Sequence, residues 1–445
     1  MKTNVVLLAA LGLASGCGGA PDPLPWVDLD GLDRRYQAPS GPESVPASKA
    51  LLEKEELTLQ DVLTLADLLN PELASERKNI DIAAAAIWEA KLYPNPSLIA
   101  QIEEYPTKGG GSLGDSKRVM GVGIPIVVSG RIGSATSLAE KERDIVVIYY
   151  VWRRREILGA VQKAFVALLG ARQNAGLARE TRNLAKAFYD VTDERFKAQA
   201  IPEMELLKAA VNLAKSEIDL KLVEKDLAVS LKTLHAFIGN FDFPKEKFAG
   251  ELGARFTSPS LEALRGHLTA GHPLLEAASR RKEAAQLELN LAKSERIPDP
   301  SLEFLAGRDG EGATIVEAGV SIPLPLFNRN QGRIAAAEAR IRKAEFEIEA
   351  VRNDLLLRLT DAYRTFVVAQ ERVGVYRDEI LPKAERALSQ TNEGYRQGKF
   401  SFLDVLDAQR TLAEARIAYA ASLADLNLAV TELEKLTGSR LESTR

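Results

Sequence analysis

The sequence predicts a mostly α-helical protomer that also carries transmembrane β-strands and is built twice over. Three observations carry this expectation. Two alanine-rich, glycine-sparse stretches, 130–201 and 332–390, are far longer than ordinary helices, and only Pro382 interrupts the second. Short segments near 97–103, 118–126, 301–306 and 317–324 alternate apolar residues with small or polar ones. These elements also recur in the same order, which marks an internal repeat of roughly two hundred residues.

Composition narrows the function classes before any motif is read. The chain has 445 residues, and its net charge of -4 arises from 58 basic and 62 acidic side chains, so nothing suggests nucleic acid as a partner. A single cysteine excludes an intrachain disulfide, and three histidines with three methionines leave little for a soft-metal site. At the N-terminus, Met1-Lys2 precedes an apolar run from Val5 to Leu13 and the small residues Ala14-Ser15-Gly16. That is an export signal, expected over residues 1–16. The following Cys17 resembles the lipidated first residue of a mature bacterial lipoprotein, although Ala14 stands where leucine is commonest. A plain signal peptide before an incidental cysteine is the alternative. No later segment has the roughly 20 consecutive apolar residues of a membrane helix. Export without such a helix leaves a periplasmic protein, a surface lipoprotein or a membrane β-barrel.

The repeat is read from matched positions. Pro94, Pro96, Ser97 and Leu98 correspond to Pro298, Pro300, Ser301 and Leu302, while Gly121, Ile124 and Pro125 correspond to Gly319, Ile322 and Pro323. The segment from Arg195 likewise matches the segment from Gly394. The expected boundaries are a linker at 17–51, a first repeat at 52–238, a linker at 239–254, a second repeat at 255–438 and a tail at 439–445.

In the helices, the run from Gly130 would exceed roughly 90 Å if continuous, and Pro382 should kink its counterpart by removing a hydrogen bond. Ala408, Leu412, Ala415, Tyr419, Ser422, Leu426, Ala429, Leu433 and Leu436 form a heptad seam in the last helix. A second stripe of Leu406, Ala413, Ile417, Ala420 and Ala424 would let that helix pack on both sides. A long four-helix bundle would show the same seams, so the strands must decide.

On the strands, Leu98, Ala100 and Ile102 share a face, as do Met120, Val122, Ile124 and Ile126, then Leu302, Phe304 and Ala306, then Ala318, Val320, Ile322 and Leu324. Apolar-out and small-or-polar-in is the pattern of a transmembrane β-barrel. Four strands cannot close around a channel, and an open sheet in lipid leaves edge groups unpaired at several kcal/mol each. Three protomers would supply twelve strands to one barrel. The glycine-rich stretches 107–118 and 307–313 suit external loops.

Together these features resemble the TolC-like outer-membrane efflux protein family, particularly the branch paired with heavy-metal and multidrug resistance-nodulation-division (RND) pumps. The resemblance is carried by "VSIPLPLFNRNQGRIAAAEARI" from Val320, "GYRQGKFSFLDVLDAQRTLAEAR" from Gly394, and the "PNPSL" and "PDPSL" strand openings; it covers roughly Leu52 to Gly438. It implies a homotrimer whose twelve-stranded β-barrel sits in the bacterial outer membrane and continues into a periplasmic twelve-helix α-barrel. It also implies a periplasmic adaptor and an inner-membrane RND transporter as partners, with outer-membrane lipid around the barrel. The exported solute would be metal ions or small toxic compounds.

On that architecture, Pro323 and Pro325 should end sheet pairing. Asn328 or Asn330 should satisfy free N–H groups at the helix start, and Gly332 should permit close packing or unusual dihedrals, making this a barrel-to-helix transition. The far turns, 197–202 and 395–401, should be periplasmic tips, with Pro202 near one returning helix's first turn and Ser401 capping the other. The resemblance implies adaptor contact there, through Arg396, Gly398, Ser401, Leu403 and Leu406. Asp404 and Asp407 match acidic positions that constrict the entrance of related channels, and threefold symmetry would make them rings that favour cations. An acidic residue in a helix's first turn is also favourable for the helix alone. The first copy departs, with Glu205 and Lys208 at the matching positions.

No motif calls for catalysis, a metal centre or a cofactor beyond the covalent N-terminal lipid. His235, His267 and His272 are expected to be structural or solvent-facing. An ABC-driven protein-secretion outlet of the same fold and a non-conducting periplasmic scaffold are the other function classes. The scaffold leaves the duplicated alternating strands without a role.

Overall fold

The computed structural model describes residues 50–105, 115–239, 242–397 and 399–442. The chain divides into two units, Met1–Glu43 and Ser44–Arg445, and every described residue belongs to the second. The signal, Cys17, most of the first linker and Gly398 lie outside the described residues. The structure is mostly α with a small β component. Its elements run α1 (Leu59–Leu69), α2 (Pro71–Ala90), β1 (Ser97–Glu103), β2 (Lys117–Pro125), α3 (Arg131–Lys197) and α4 (Glu203–Phe237). They continue as α5 (Leu261–Gly271), α6 (Pro273–Ser294), β3 (Ser301–Arg308), β4 (Thr314–Ser321), α7 (Gln331–Val375), α8 (Leu381–Arg396) and α9 (Phe402–Thr437).

Local chemistry explains where helices start. Thr58 and Asp61 form a capping box at α1, in which the Asp61 N–H donates to the Thr58 hydroxyl and the Thr58 N–H to the Asp61 carboxylate. Asn70 caps α2 by accepting from the N–H groups of Glu72 and Leu73, with Pro71 at the first turn. The same arrangement recurs at α6, where His272 Nδ1 accepts from the Leu274 N–H ahead of Pro273. At 67 residues, α3 is a rod of about 100 Å, and α4 returns antiparallel along it.

The kink expected at Pro382 takes a specific form. Tyr376–Ile380 is a π-helical turn, after which α8 starts with Pro382 in its first turn. The backbone stays in the α region through Ile380 and Leu381. One wide turn absorbs the missing N–H, so the rod bulges rather than breaks.

Two cores hold the helices together. One gathers Leu57, Leu65, Val161, Phe165, Leu168, Leu234 and Phe248 between α1, α3 and α4. The other gathers Leu264, Leu268, Leu355, Leu359, Phe366, Leu426 and Leu433 between α5, α7 and α9. The α9 seam is the reason: Leu426 and Leu433 are fully buried, as are Ser422, Ala429 and Leu436 to within a few per cent. The second α9 stripe is only half covered, with Ala420 buried and Ile417 exposed. The stretch 239–254, expected as a linker, is a strap in its described part. Leu57 donates to the Lys247 carbonyl, Ala249 donates to that of Leu57, and Asn427 holds both the N–H and the C=O of Gly253.

The four strands form one antiparallel sheet in the order β1-β2-β3-β4. Its register places Leu98 opposite Val122, Val122 opposite Phe304 and Ala318 opposite Phe304, so the apolar residues of all four strands share one face. On that face Leu98 is 76% exposed and Val320 66%, while Val119 and Leu305 on the opposite face are buried. Among the described residues nothing covers this apolar face, and a contiguous exposed face of this kind marks a surface that meets an apolar partner, protein or membrane. The outer edges of β1 and β4 have no strand beside them among the described residues.

The strand-to-helix corners correct one expectation. Gly130 and Asn330, the residues before α3 and α7, both adopt left-handed φ, 69° and 59°. Gly332 does not, and a Cβ there would meet nothing within 4 Å. The unusual dihedral therefore falls on Asn330, two residues before the expected glycine, because asparagine tolerates this region. Gly332 sits free within the first turn of α7, so Gly332→Ala is expected to stabilise the protein by ~0.5–1 kcal/mol, read as a raised unfolding midpoint. A lowered midpoint would mean that the glycine has a role the protomer does not reveal.

Candidate functional site

The two ends of the helical rods carry the candidate functional residues. At the strand end, β2 passes into α3 beside the α6–β3 connection. Ile126 donates to the Pro300 carbonyl at 2.8 Å, Val128 donates to Asp299 Oδ1 at 3.1 Å, and Arg131 Nε donates to Asp299 Oδ2 at 2.7 Å. The second corner is built differently. Pro323 and Pro325 lie beyond Ser321, the last residue of β4 within the protomer, whereas Pro125 closes β2 opposite Ser301. Asn328 Oδ1 accepts from the Asn330 N–H at 3.0 Å. The Asn330 side chain does not cap α7; its Nδ2 donates to the Ala292 carbonyl at 2.6 Å and ties α7 to α6. Arg333 pairs with Glu295, the C-cap residue of α6.

At the other end, α3 turns into α4 and α8 into α9. Ser401 caps α9 in a full capping box: the Asp404 N–H donates to Ser401 Oγ at 3.3 Å, and the Ser401 N–H and hydroxyl each donate to Asp404 Oδ2 at 2.7 Å. These bonds from the Ser401 hydroxyl, and then from its N–H, hold the Asp404 carboxyl below its ordinary range. Asp404 is therefore ionised at neutral pH and already engaged as a cap. Asp407, one turn on, is exposed and lies 3.4 Å from Arg410. At the α3–α4 turn Pro202 is the N-cap residue itself, without a side-chain bond, and Glu205 is half-buried while Lys208 is exposed.

Of the expected contact residues, Leu403 is exposed, Leu406 is half-buried and Ser401 is exposed but committed to its cap. The Arg396 side chain, like Gly398, lies outside the described residues. The tips contain further residues that sequence reasoning passed over. Met204, Leu207 and Phe400 are exposed apolar side chains at the same level, recognisable in sequence only as apolar residues flanking a turn. Gly394 is the tight position of the second turn, since a Cβ there would lie 2.1 Å from the Phe400 ring. Its carbonyl accepts from the Lys399 N–H at 2.8 Å. The tips also touch: Arg195 on α3 donates to the Tyr395 hydroxyl on α8 at 2.5 Å.

Away from the ends, one charged pair and two histidines lie buried within the packed helices. Arg154 on α3 is buried and grips Asp67 on α1, with Nε to Oδ1 at 2.6 Å and Nη2 to Oδ2 at 2.7 Å. His272 packs its ring 4.8 Å from that of Trp152, and His235 lies among Phe243 and Phe248. His267 is exposed. Among the described residues, no group of three or more His, Cys, Asp or Glu could hold a metal ion, and no helix is long and apolar enough to cross a membrane.

A family model described as "Outer membrane efflux protein" matches residues 62–240 and 264–439. The cobalt-zinc-cadmium resistance protein CzcC of Cupriavidus metallidurans is 30% identical over 383 residues, spanning 86% of this chain and 90% of that one. Among solved structures, CusC superposes with a TM-score of 0.70 at 16% identity, covering 85% of this chain and 91% of the other. The CmeC outer membrane channel of Campylobacter jejuni gives 0.68 at 17% identity, covering 87% of each.

Proposed function

Because the chain belongs to the outer membrane efflux protein family, we propose that it is the gated exit duct of a tripartite RND-type efflux system. The observation that carries this reading is a sheet with one uncovered apolar face and two free edges, set at one end of helical hairpins about 100 Å long. In hydrocarbon, free edges cost several kcal/mol per unpaired group, and three copies joined edge to edge remove them. The homotrimer then has twelve strands in the outer membrane and a wall of twelve helices in the periplasm. The half-covered second stripe of α9 is consistent with helices that wait for a neighbour.

Residues 52–238 and 255–438 serve as two copies of one structural repeat. The register supports this, since Ser97 faces Gly123 as Ser301 faces Ser321. Cys17 carries the lipid that anchors the mature N-terminus. The exposed apolar residues of the tips meet a periplasmic adaptor, which links the duct to an inner-membrane RND transporter that supplies the energy. As a member of a channel family, the chain is not an enzyme. Cargo of the metal-ion or small-toxic-compound class follows from similarity to a cobalt-zinc-cadmium resistance protein.

Asp404 and Asp407 form the acidic constriction, with Glu205 and Lys208 in the other hairpin's ring. The double variant Asp404→Asn/Asp407→Asn keeps an acceptor for Ser401 and removes two charges per protomer. In planar bilayers it should reduce the cation-over-anion permeability ratio roughly twofold or more, with helix content and trimer mass unchanged. An unaltered ratio would remove these residues from the constriction. No conductance from the purified parent protein would remove the duct reading itself.

A further inference from the structure

We infer that the free edges of the sheet join those of neighbouring copies in one definite register, with Pro323 of one protomer opposite Ser97 of the partner subunit and the side chain of residue 319 omitted to admit the partner's β1. This rests on the trimeric reading above and specifies its strand pairing.

The template lies within the chain. The correspondence that carries Ser97 to Ser301 and Gly123 to Ser321 converts the β1–β2 register into the β3–β4 register without a slip. Between the two copies, β2 pairs with β3: Pro125 faces Ser301, Ile124 faces Leu302, Val122 faces Phe304 and Gly121 faces Leu305. Applying the same correspondence once more turns β2 into β4 and β3 into the β1 of the next copy. Ile322 then faces Leu98 of the partner subunit, Val320 faces the partner's Ala100, and Gly319 faces the partner's Gln101. All the apolar members of these pairs stay on the lipid face. A one-residue slip would turn them toward the lumen.

A two-residue slip preserves the faces, and here the glycines decide. A Cβ on Gly121 would lie 1.8 Å from the Phe304 carbonyl oxygen, so the β2–β3 seam requires glycine there. Its counterpart, Gly319, has ample room within its own protomer, where the nearest atom to an added Cβ is Glu303 Cβ at 3.9 Å. The missing side chain has no use inside the protomer. It has one if the carbonyl of the partner's Ala100 arrives where the Phe304 carbonyl stands at the other seam. A two-residue slip moves that carbonyl by about 7 Å and leaves the glycine unexplained.

The same logic says where close pairing ends. Gly307 also passes tightly, with an added Cβ 1.9 Å from the Arg118 carbonyl oxygen. In β1 the corresponding residue is Glu103, which cannot come so near. Extending the register would also set Glu317 opposite Glu103 of the partner subunit, and directly opposed like charges destabilise a sheet. Within the protomer, Lys117 lies 2.7 Å from both its own Glu103 and Glu317. The close approach between subunits therefore runs from Pro323 to Gly319, and the strands pair less tightly toward the outer mouth.

Cysteine pairs in the full chain, oxidised in isolated outer membranes and run on non-reducing gels, test the register. Ser321→Cys with Ile99→Cys should give covalent dimers and trimers. Ser321→Cys with Ser97→Cys or Gln101→Cys should give at least fivefold less, because diagonal neighbours are too far apart for a disulfide. The parent chain and the single variants set the background from Cys17. Strongest cross-linking through residue 97 or 101 would overturn the register while leaving edge pairing intact. A bond within one chain, or no cross-link in a protein of trimer mass, would overturn the edge pairing. Absence of a trimer would sink the underlying reading as well. Independently, Gly319→Ala should lower the trimer dissociation temperature in detergent by several degrees while Gly332→Ala does not. Equal temperatures would refute the role given to Gly319.

Discussion

Replacing Arg154 by leucine is expected to destabilise the protomer by about 3–5 kcal/mol, the loss typical of a buried ion pair stripped of one partner. The Arg154 side chain is 8% exposed and that of Asp67 6%, and the pair is bidentate between α3 and α1. Without the guanidinium, the Asp67 carboxylate stays in a dry contact between helices and pays its desolvation cost uncompensated. Replacing both residues by leucine removes both charges, so the double variant should recover a large part of the loss. Urea unfolding of the detergent-solubilised protein, followed by its helical signal, measures both. A single variant within ~1 kcal/mol of the parent would show that water reaches the pair.

The second large effect is a loss of stability in mild acid that depends on His272. Burial, and next the positive charges of Arg155 and Arg358, push the imidazole down to about 4 from its ordinary value near 6.5. Its Nδ1 accepts from the Leu274 N–H, so protonation there would also remove the cap of α6. The unfolded chain takes up the proton first. The stabilising contribution of the neutral ring is thus complete above pH ~6.5 and declines as pH falls toward about 4, by ~3 kcal/mol across the window. His272→Asn retains a capping acceptor without a titrating ring, as Asn70 does at the corresponding place before Pro71. Unfolding midpoints from pH 7 to 4 should therefore fall less steeply in this variant. Parallel slopes for variant and parent would exclude His272 as the origin.

Asn70 and His272 also show how far sequence reading reached. Each caps a helix that begins with proline. The sequence carries the signal as Asn70-Pro71 and His272-Pro273, a side-chain acceptor ahead of a first-turn proline. Asp404 is the opposite case. Its favourable place in a first helical turn was legible from the residue alone, whereas the constriction was implied only by the family resemblance. The hydrogen bonds with Ser401 establish the cap.

By itself the sequence determined the rods, the four strands, their apolar face and the α9 seam. These depend on periodicity along a single element, and neighbouring residues suffice to express it. Tertiary structure alone decided that Asn330 rather than Gly332 takes the left-handed turn, that Arg154 finds Asp67, and that 242–254 straps two cores together. It alone revealed that Gly121 has no room for a side chain while Gly319 has room to spare. Those facts depend on distances between segments far apart in the chain, and local residue patterns carry no record of such distances until the backbone has folded.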